Sequence, residues 1–215
     1  MKISTVSVIG DGELASKIQR LLSKADFKVV ASDLSENYTK QALDVDLVIE
    51  VATEDVDLKE KVFKNCDAKC QKDAILATVT ANSWVTQLAR ATKRPEKVVG
   101  LNFTENPFEE KYLVQIISGL QTSDATVQAV KEFLEKVGVT AVKLEENPGL
   151  ILDRVIASIV NEAAMMYSSK LATKEDIDKM MKVCVNWPMG PFEFADNMGV
   201  DKVVEILDSM SQQLG

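Results

Sequence analysis

An apolar run from Val6 to Ile9 enters the turn Gly10-Asp11-Gly12-Glu13-Leu14-Ala15. This GxGxx[G/A] spacing brings backbone amides close to a pyrophosphate. Gly10 permits the tight reversal, Gly12 leaves room for phosphate, and the small Ala15 lets the following helix pack on its sheet. Glu13 and Leu14 stand in the first helical turn, where free amides and a partial positive charge favour an anion. Two acids, Asp11 and Glu13, work against it. Asp33 lies near the ~20-residue offset of an acid that accepts from a ribose 2′-hydroxyl. With no arginine beside it, Asp33 favours NAD over its phosphorylated form. Such a cradle proposes a dinucleotide-dependent enzyme. This chain has no histidine, so the usual acid/base for neutral pH is missing.

Composition narrows the partners. A length of 215 residues with 46% hydrophobic content suits one full core and a smaller second unit. A net charge of -8 with no basic stripe argues against nucleic acid. No apolar stretch approaches the ~18 residues of a membrane span, and Met1-Lys2-Ile3-Ser4-Thr5 runs straight into a strand. A cytoplasmic protein is expected. Cys66, Cys70 and Cys184 read as free thiols of a reducing compartment. Cys66 and Cys70 stand four apart on a predicted helix, yet two thiolates without histidine make a poor metal site, and no metal is expected.

Strand-length apolar runs alternate with helical patterns through the first two-thirds. The periodicity predicts strands near 3–9, 27–32, 46–51, 74–79, 97–103, 112–118 and 138–144, with helices near 13–23, 55–70, 83–91 and 123–136. Ser123 and Asp124 start the last helix and Gly138 stops it. This pattern is α/β, a Rossmann-type doubly wound, mostly parallel sheet. Beyond Glu145-Glu146-Asn147-Pro148-Gly149 only helical periods recur. Pro148 can open a long helix to about Lys170, Thr173 can cap a second with Asp176 reaching back, and Gly199 separates two more. The expected domains are 1–147, a nucleotide-binding unit, and 148–215, a smaller all-α unit on the dimerisation and substrate side. Its many methionines suit core or dimer packing.

Further motifs carry a resemblance. Asp46-Leu47-Val48-Ile49-Glu50-Val51 with Glu54 and Lys59, Ala74-Ile75-Leu76-Ala77-Thr78, and Arg94-Pro95-Glu96-Lys97-Val98-Val99-Gly100-Leu101 closely resemble the NAD domain of 3-hydroxyacyl-CoA dehydrogenases. Asn147-Pro148-Gly149-Leu150-Ile151 with Arg154, Asn161-Glu162-Ala163-Ala164, Glu175-Asp176-Ile177-Asp178 and Trp187-Pro188-Met189-Gly190-Pro191-Phe192-Glu193 resemble that family's helical domain. The likeness implies NAD as cofactor and places Asp33, Glu54, Lys59 and Asn106 on the cofactor side. Glu54 and Lys59 can pair with each other or reach ribose and nicotinamide.

The resemblance also implies a histidine–glutamate dyad for proton transfer, and here the chain departs. The histidine's context is Gly100-Leu101-Asn102-Phe103, and the glutamate's place in Leu113-Val114-Gln115-Ile116 is taken by Gln115. Asn102 and Gln115 are amides, which donate hydrogen bonds but do not exchange protons near neutral pH. They can also bond to each other across strands. The family's threonine-serine-serine run is Thr80-Ala81-Asn82, preceded by Val79, and an asparagine near substrate is Asp153. The helical excursion that family members use for CoA is absent between Asp33 and the next strand, and the chain ends at Gly215, earlier than is usual. Three functions follow as expectations. The first is an NAD-binding protein weak or inactive in hydride transfer from 3-hydroxyacyl-CoA. The second is an active NAD-dependent oxidoreductase on a different hydroxy substrate, with Lys111, Tyr112, Glu105, Glu109 and Glu110 near the altered strand ends as acid/base candidates that the spacing does not separate. The third is a non-catalytic scaffold or regulator. An acyl-CoA or hydroxy-acid ligand and a homodimer through the helical domain are the expected partners, with neither nucleic acid nor membrane.

Overall fold

The structure, a computed structural model, describes residues 2–25, 27–34, 43–81, 84–106, 111–147 and 149–214; of residues 105, 106, 111, 112, 213 and 214 it describes the backbone alone. The chain divides into two compact units, Met1–Glu146 and Asn147–Gly215.

The first unit alternates strands and helices in the order β1 (Thr5–Gly10), α1 (Gly12–Lys24), β2 (Lys28–Ser32), β3 (Leu47–Val51), α2 (Val56–Lys69), β4 (Ile75–Val79), α3 (Val85–Arg90), β5 (Val98–Asn106), β6 (Lys111–Ser118), α4 (Asp124–Lys136) and β7 (Thr140–Glu145). The seven strands form one sheet in the order β2-β1-β3-β4-β5-β6-β7. All neighbours are parallel except β5 and β6, which pair antiparallel. This is the doubly wound sheet the periodicity predicts. Every residue of β3 and β4 is buried, so these strands read as unbroken apolar runs, as strands covered on both faces do. The core joins Val6, Val8, Ile49 and Leu101 of the sheet to Ala15, Ile18 and Leu22 of α1 and Phe133 of α4.

Local signals explain most boundaries. Asp55 caps α2, its carboxylate accepting from the Asp57 and Leu58 amides at 3.0 and 3.1 Å. Ser123 caps α4 through the Thr126 amide at 3.2 Å, and the chain leaves that helix through Gly138 at φ +81°. Helix α3 is shorter than its predicted 83–91, covering six residues.

The second unit is all helix: α5 (Ile151–Ser168), α6 (Lys174–Cys184), α7 (Pro191–Met198) and α8 (Val200–Leu214). The expected role of Pro148 falls outside the described residues. Ile156, Ala157, Val160, Ala195, Val203 and Ile206 make its core. Thr173 accepts from the Asp176 amide at 3.2 Å, while Asp176 reaches back to the threonine hydroxyl at 2.9 Å rather than to its amide. Asp178 fixes the start of α7, accepting from the amides of Phe192 and Glu193 at 2.8 and 3.2 Å. Gly190 has to be glycine there, because a Cβ would stand 2.3 Å from the Asp178 Cβ. Among the described residues no helix is long and apolar enough to cross a membrane.

Candidate nucleotide site and the Asn102–Gln115 pair

The order β2-β1-β3 reverses direction of growth at β1, which opens a crevice at the carboxyl ends of β1 and β3. The glycine turn lies there. Gly10 pairs with Val51 in register and has φ +147°; a Cβ on it would lie 2.2 Å from the Val51 carbonyl oxygen. Gly12 has φ +88°, and a Cβ there would meet nothing within 4 Å. The space beside Gly12 is therefore open to a ligand, while that beside Gly10 is filled by the neighbouring strand. Asp11, at the N-cap of α1, makes no side-chain cap, so the first-turn amides lack the carboxylate or hydroxyl that α2, α4 and α6 have. Glu13 is turned to solvent and paired with Lys17 at 3.1 Å. Leu14 is exposed and Ala15 is packed in the core. Asp33 is exposed just past β2, whose Ser32 pairs with Ile9, so the acid follows at the level of Gly10. An uncapped helix start, an open glycine and an acid at the adjacent strand end fit the pyrophosphate and ribose of a dinucleotide.

Lys59 requires a correction. Its partner is Glu50, not Glu54, and both side chains are almost wholly enclosed, at 0% and 1% exposure. The ammonium donates to the Glu50 carboxylate at 3.1 and 3.2 Å, to the Thr78 hydroxyl at 3.2 Å and to the Val79 carbonyl at 2.9 Å. Thr78 donates to Glu50 at 2.7 Å, and the Ala52 amide also donates to that carboxylate. A cation sealed this way joins the ends of β3 and β4 and has no face left for nicotinamide. Sequence offers one signal for the pair: a glutamate inside the apolar run Leu47–Val51 must be buried and therefore needs a cation. Glu54, by contrast, is exposed and accepts from the Thr80 hydroxyl at 3.0 Å and the Ala81 amide at 2.7 Å.

Asn102 and Gln115 are directly opposed on β5 and β6. Asn102 Nδ2 donates to the Thr80 carbonyl at 3.2 Å. Because that carbonyl only accepts, the amide is oriented, and Asn102 Oδ1 faces the neighbouring strand. There it accepts from Gln115 Nε2 at 3.2 Å and from the Thr104 hydroxyl at 3.0 Å. Gln115, 4% exposed, is left with Oε1 buried and unpartnered. The result is a neutral chain of donors running from Gln115 through Asn102 to the Thr80 carbonyl. Nothing in it releases or takes a proton near neutral pH.

The remaining candidates separate. Asn106 ends β5 with its backbone opposite Lys111, and its side chain lies outside the described residues, as do the side chains of Glu105, Lys111 and Tyr112 and all of Asn82, Glu109 and Glu110. Asp153 is half-buried in the helical unit; desolvation raises its pKa, opposed by the charge of Lys202.

Residues 35–147 match the model of the 3-hydroxyacyl-CoA dehydrogenase NAD binding domain, and residues 149–215 match that of the 3-hydroxyacyl-CoA dehydrogenase C-terminal domain. The chain belongs to the 3-hydroxyacyl-CoA dehydrogenase family. NAD is the cofactor for which its first unit is built. Among its relatives, a 3-hydroxybutyryl-CoA dehydrogenase of Clostridioides difficile is 40% identical over 172 residues, covering 80% of this chain but only 61% of that protein. A 3-hydroxybutyryl-CoA dehydrogenase of Bradyrhizobium diazoefficiens is 32% identical over 250 positions, covering 99% of this chain and 85% of the relative. An alignment of 250 positions exceeds the 215 residues of this family member, so the relative carries segments that it lacks. The crystal structure of (S)-3-hydroxybutyryl-CoA dehydrogenase from Ralstonia eutropha superposes with a TM-score of 0.89 at 28% identity, covering 99% of this chain and 88% of that one.

Proposed function

We propose that this family member binds NAD and carries out the family's hydride transfer from 3-hydroxyacyl-CoA weakly or not at all. The observation that carries this reading is the Gln115 to Asn102 hydrogen bond at 3.2 Å, which puts a neutral amide pair where the dyad is expected. NAD, when bound, supplies the hydride acceptor. The glycine turn holds its pyrophosphate, and Asp33 accepts from its ribose. Glu54 holds Thr80 and Ala81 beside the site. The second Nδ2 hydrogen of Asn102 donates to a carbonyl or hydroxyl oxygen of an acyl-CoA or small hydroxy acid. Without a group that takes the hydroxyl proton, the acid/base contribution of roughly 10²–10⁴ in rate is lost. A cytoplasmic location suits three free thiols.

The test compares the native protein with an Asn102→His, Gln115→Glu double variant in NADH-dependent reduction of acetoacetyl-CoA, alongside calorimetric titration with NADH. Expected are binding heat in both and turnover only in the variant. Absence of binding heat in the native protein refutes cofactor binding, and brisk native turnover refutes the inactive dyad.

A homodimer through the helical unit completes the proposal. It is supported by Ile151, Leu152 and Val155, which lie within one and a half turns of α5 and are each about half exposed, at 54%, 49% and 49%. A monomer by light scattering at working concentration removes that part.

A further inference from the structure

Helix α2 ends on a pair of thiols that none of the chemistry above employs. Cys66 and Cys70 stand one turn apart, 1% and 8% exposed, whereas the third cysteine, Cys184, lies exposed on α6. The Cys70 amide donates to the Cys66 carbonyl at 2.8 Å, closing the last turn, after which Cys70 leaves the helix with φ −71° and ψ 156°. The two thiols are close enough to perturb each other's ionisation. Beside them the Arg94 guanidinium is held rigidly. It donates to the Asp67 carboxylate at 2.8 Å, to the Asp67 carbonyl at 2.9 Å and to the Gln71 carbonyl at 2.5 Å. An Arg94–Asp67 ion pair is therefore fixed among the residues on either side of Cys70.

This arrangement makes the two thiols unequal. Interaction with Cys66, helped by the Arg94 charge, lowers the pKa of Cys70 against the opposing effects of burial and of the Asp67 carboxylate. The same interaction, with burial, holds Cys66 well above the ordinary thiol range. Cys70, the more exposed of the two and already outside the helix, is thus the better nucleophile and Cys66 the proton-bearing neighbour. Residues one turn apart in a helix hold their Cβ atoms about 5–6 Å apart, and a disulfide needs roughly 3.5–4.5 Å. Because Cys70 is already extended, only the last turn of α2 has to yield.

We propose that Cys66 and Cys70 form a redox-active dithiol that hydrogen peroxide converts reversibly into an intrachain disulfide. The Cys70 thiolate attacks one peroxide oxygen; the O–O bond breaks, hydroxide leaves and is protonated to water, and Cys70 becomes a sulfenic acid. The Cys66 sulfur then displaces that hydroxyl, which departs as a second water with the Cys66 proton as the S–S bond forms. The thiols lose the two electrons that the peroxide gains. Closing the bridge strains the 2.8 Å turn between Cys70 and Cys66, so the disulfide belongs to the readily reduced kind.

The experiment uses the full chain carrying Cys184→Ser. It is treated natively with stoichiometric hydrogen peroxide, then denatured, alkylated and weighed intact. The expected result is joint loss of both alkylatable thiols with a fall of about two mass units, restored by dithiothreitol. With Cys66→Ser or Cys66→Ala added, a sulfenic-acid reagent such as dimedone labels Cys70. Two thiols still alkylatable after treatment overturn the proposal, as does stepwise oxygen addition at Cys70 with Cys66 left free. Dimedone labelling of Cys66 in Cys70→Ser, without labelling of Cys70 in Cys66→Ser, overturns the assignment of roles.

Discussion

Glu50 and Lys59 exclude water from each other, and the energetic consequence is asymmetric. Removing one partner strands the other charge in the core, whereas replacing both with neutral groups does not. Lys59→Met is expected to lower unfolding stability by about 3–5 kcal/mol, and Glu50→Gln combined with Lys59→Met to recover much of that loss in urea denaturation. The double variant should keep its NADH dissociation constant within about threefold, since Lys59 faces no ligand; a loss of tenfold or more, about 1.4 kcal/mol, overturns this placement. Two aspartates respond oppositely to acid. Asp46 is the first: desolvation is opposed and outweighed by bonds from the Thr5 and Ser4 amides and the side chains of Thr5 and Gln71, so its pKa lies below 3.8. Its stabilisation is full above that value and is lost as pH falls through the folded-state pKa. Asp46→Asn should therefore cost about 1 kcal/mol at pH 7 and nothing once both states are protonated. Asp153 is raised above 3.8 by desolvation, so its favourable contribution exists below 3.8 and is lost as pH rises through the folded value. Asp153→Asn should raise the melting temperature slightly at pH 7 and leave it unchanged in acid. Sequence discloses at this scale that Asn102 and Gln115 are amides. It does not disclose the Thr80 carbonyl that orients them, because a backbone acceptor has no residue type.

Glycines of the same turn answer to different elements. A Cβ on Gly10 collides with the backbone of β3, which cannot move without breaking the sheet, whereas one on Gly12 meets only open space. Gly10→Ala should thus give little folded protein. Gly12→Ala should fold with a penalty of about 1 kcal/mol, from its φ of +88°, and lose NADH binding because its methyl enters the ligand space. Circular dichroism and calorimetric titration separate the two outcomes. Most strands and helices are visible in the sequence because burial on two faces, or on one, imposes its own period. The order of strands and the reversal between β5 and β6 are not, since periodicity says which face is buried and nothing about which neighbour a strand joins. The opposition of Asn102 and Gln115 depends on that reversal.

Across the whole molecule, a ligand that binds only the folded chain stabilises it by mass action. NADH at 100 times its dissociation constant should add about 2.7 kcal/mol, a rise of several degrees in melting temperature, and Gly12→Ala should abolish the rise. If the helical unit dimerises, the melting temperature should also climb with protein concentration, and a flat dependence excludes a dimer coupled to folding. The division at residues 146 and 147 coincides with the loss of strand-like runs in the sequence. The arrangement of the helices around Ile156, Ala157 and Val160 does not follow from their individual periods, which mark a buried stripe on each without pairing the stripes.

The oriented amide of Asn102 also gives these two positions a preferred order of change. Gln115 can turn its carbonyl toward an imidazole N–H, so Asn102→His alone meets a partner already able to accept. Gln115→Glu alone sets a buried carboxylate against the Asn102 oxygen, which the Thr80 carbonyl prevents from turning away. A proton-exchanging pair is therefore reachable through position 102 first and obstructed through position 115 first.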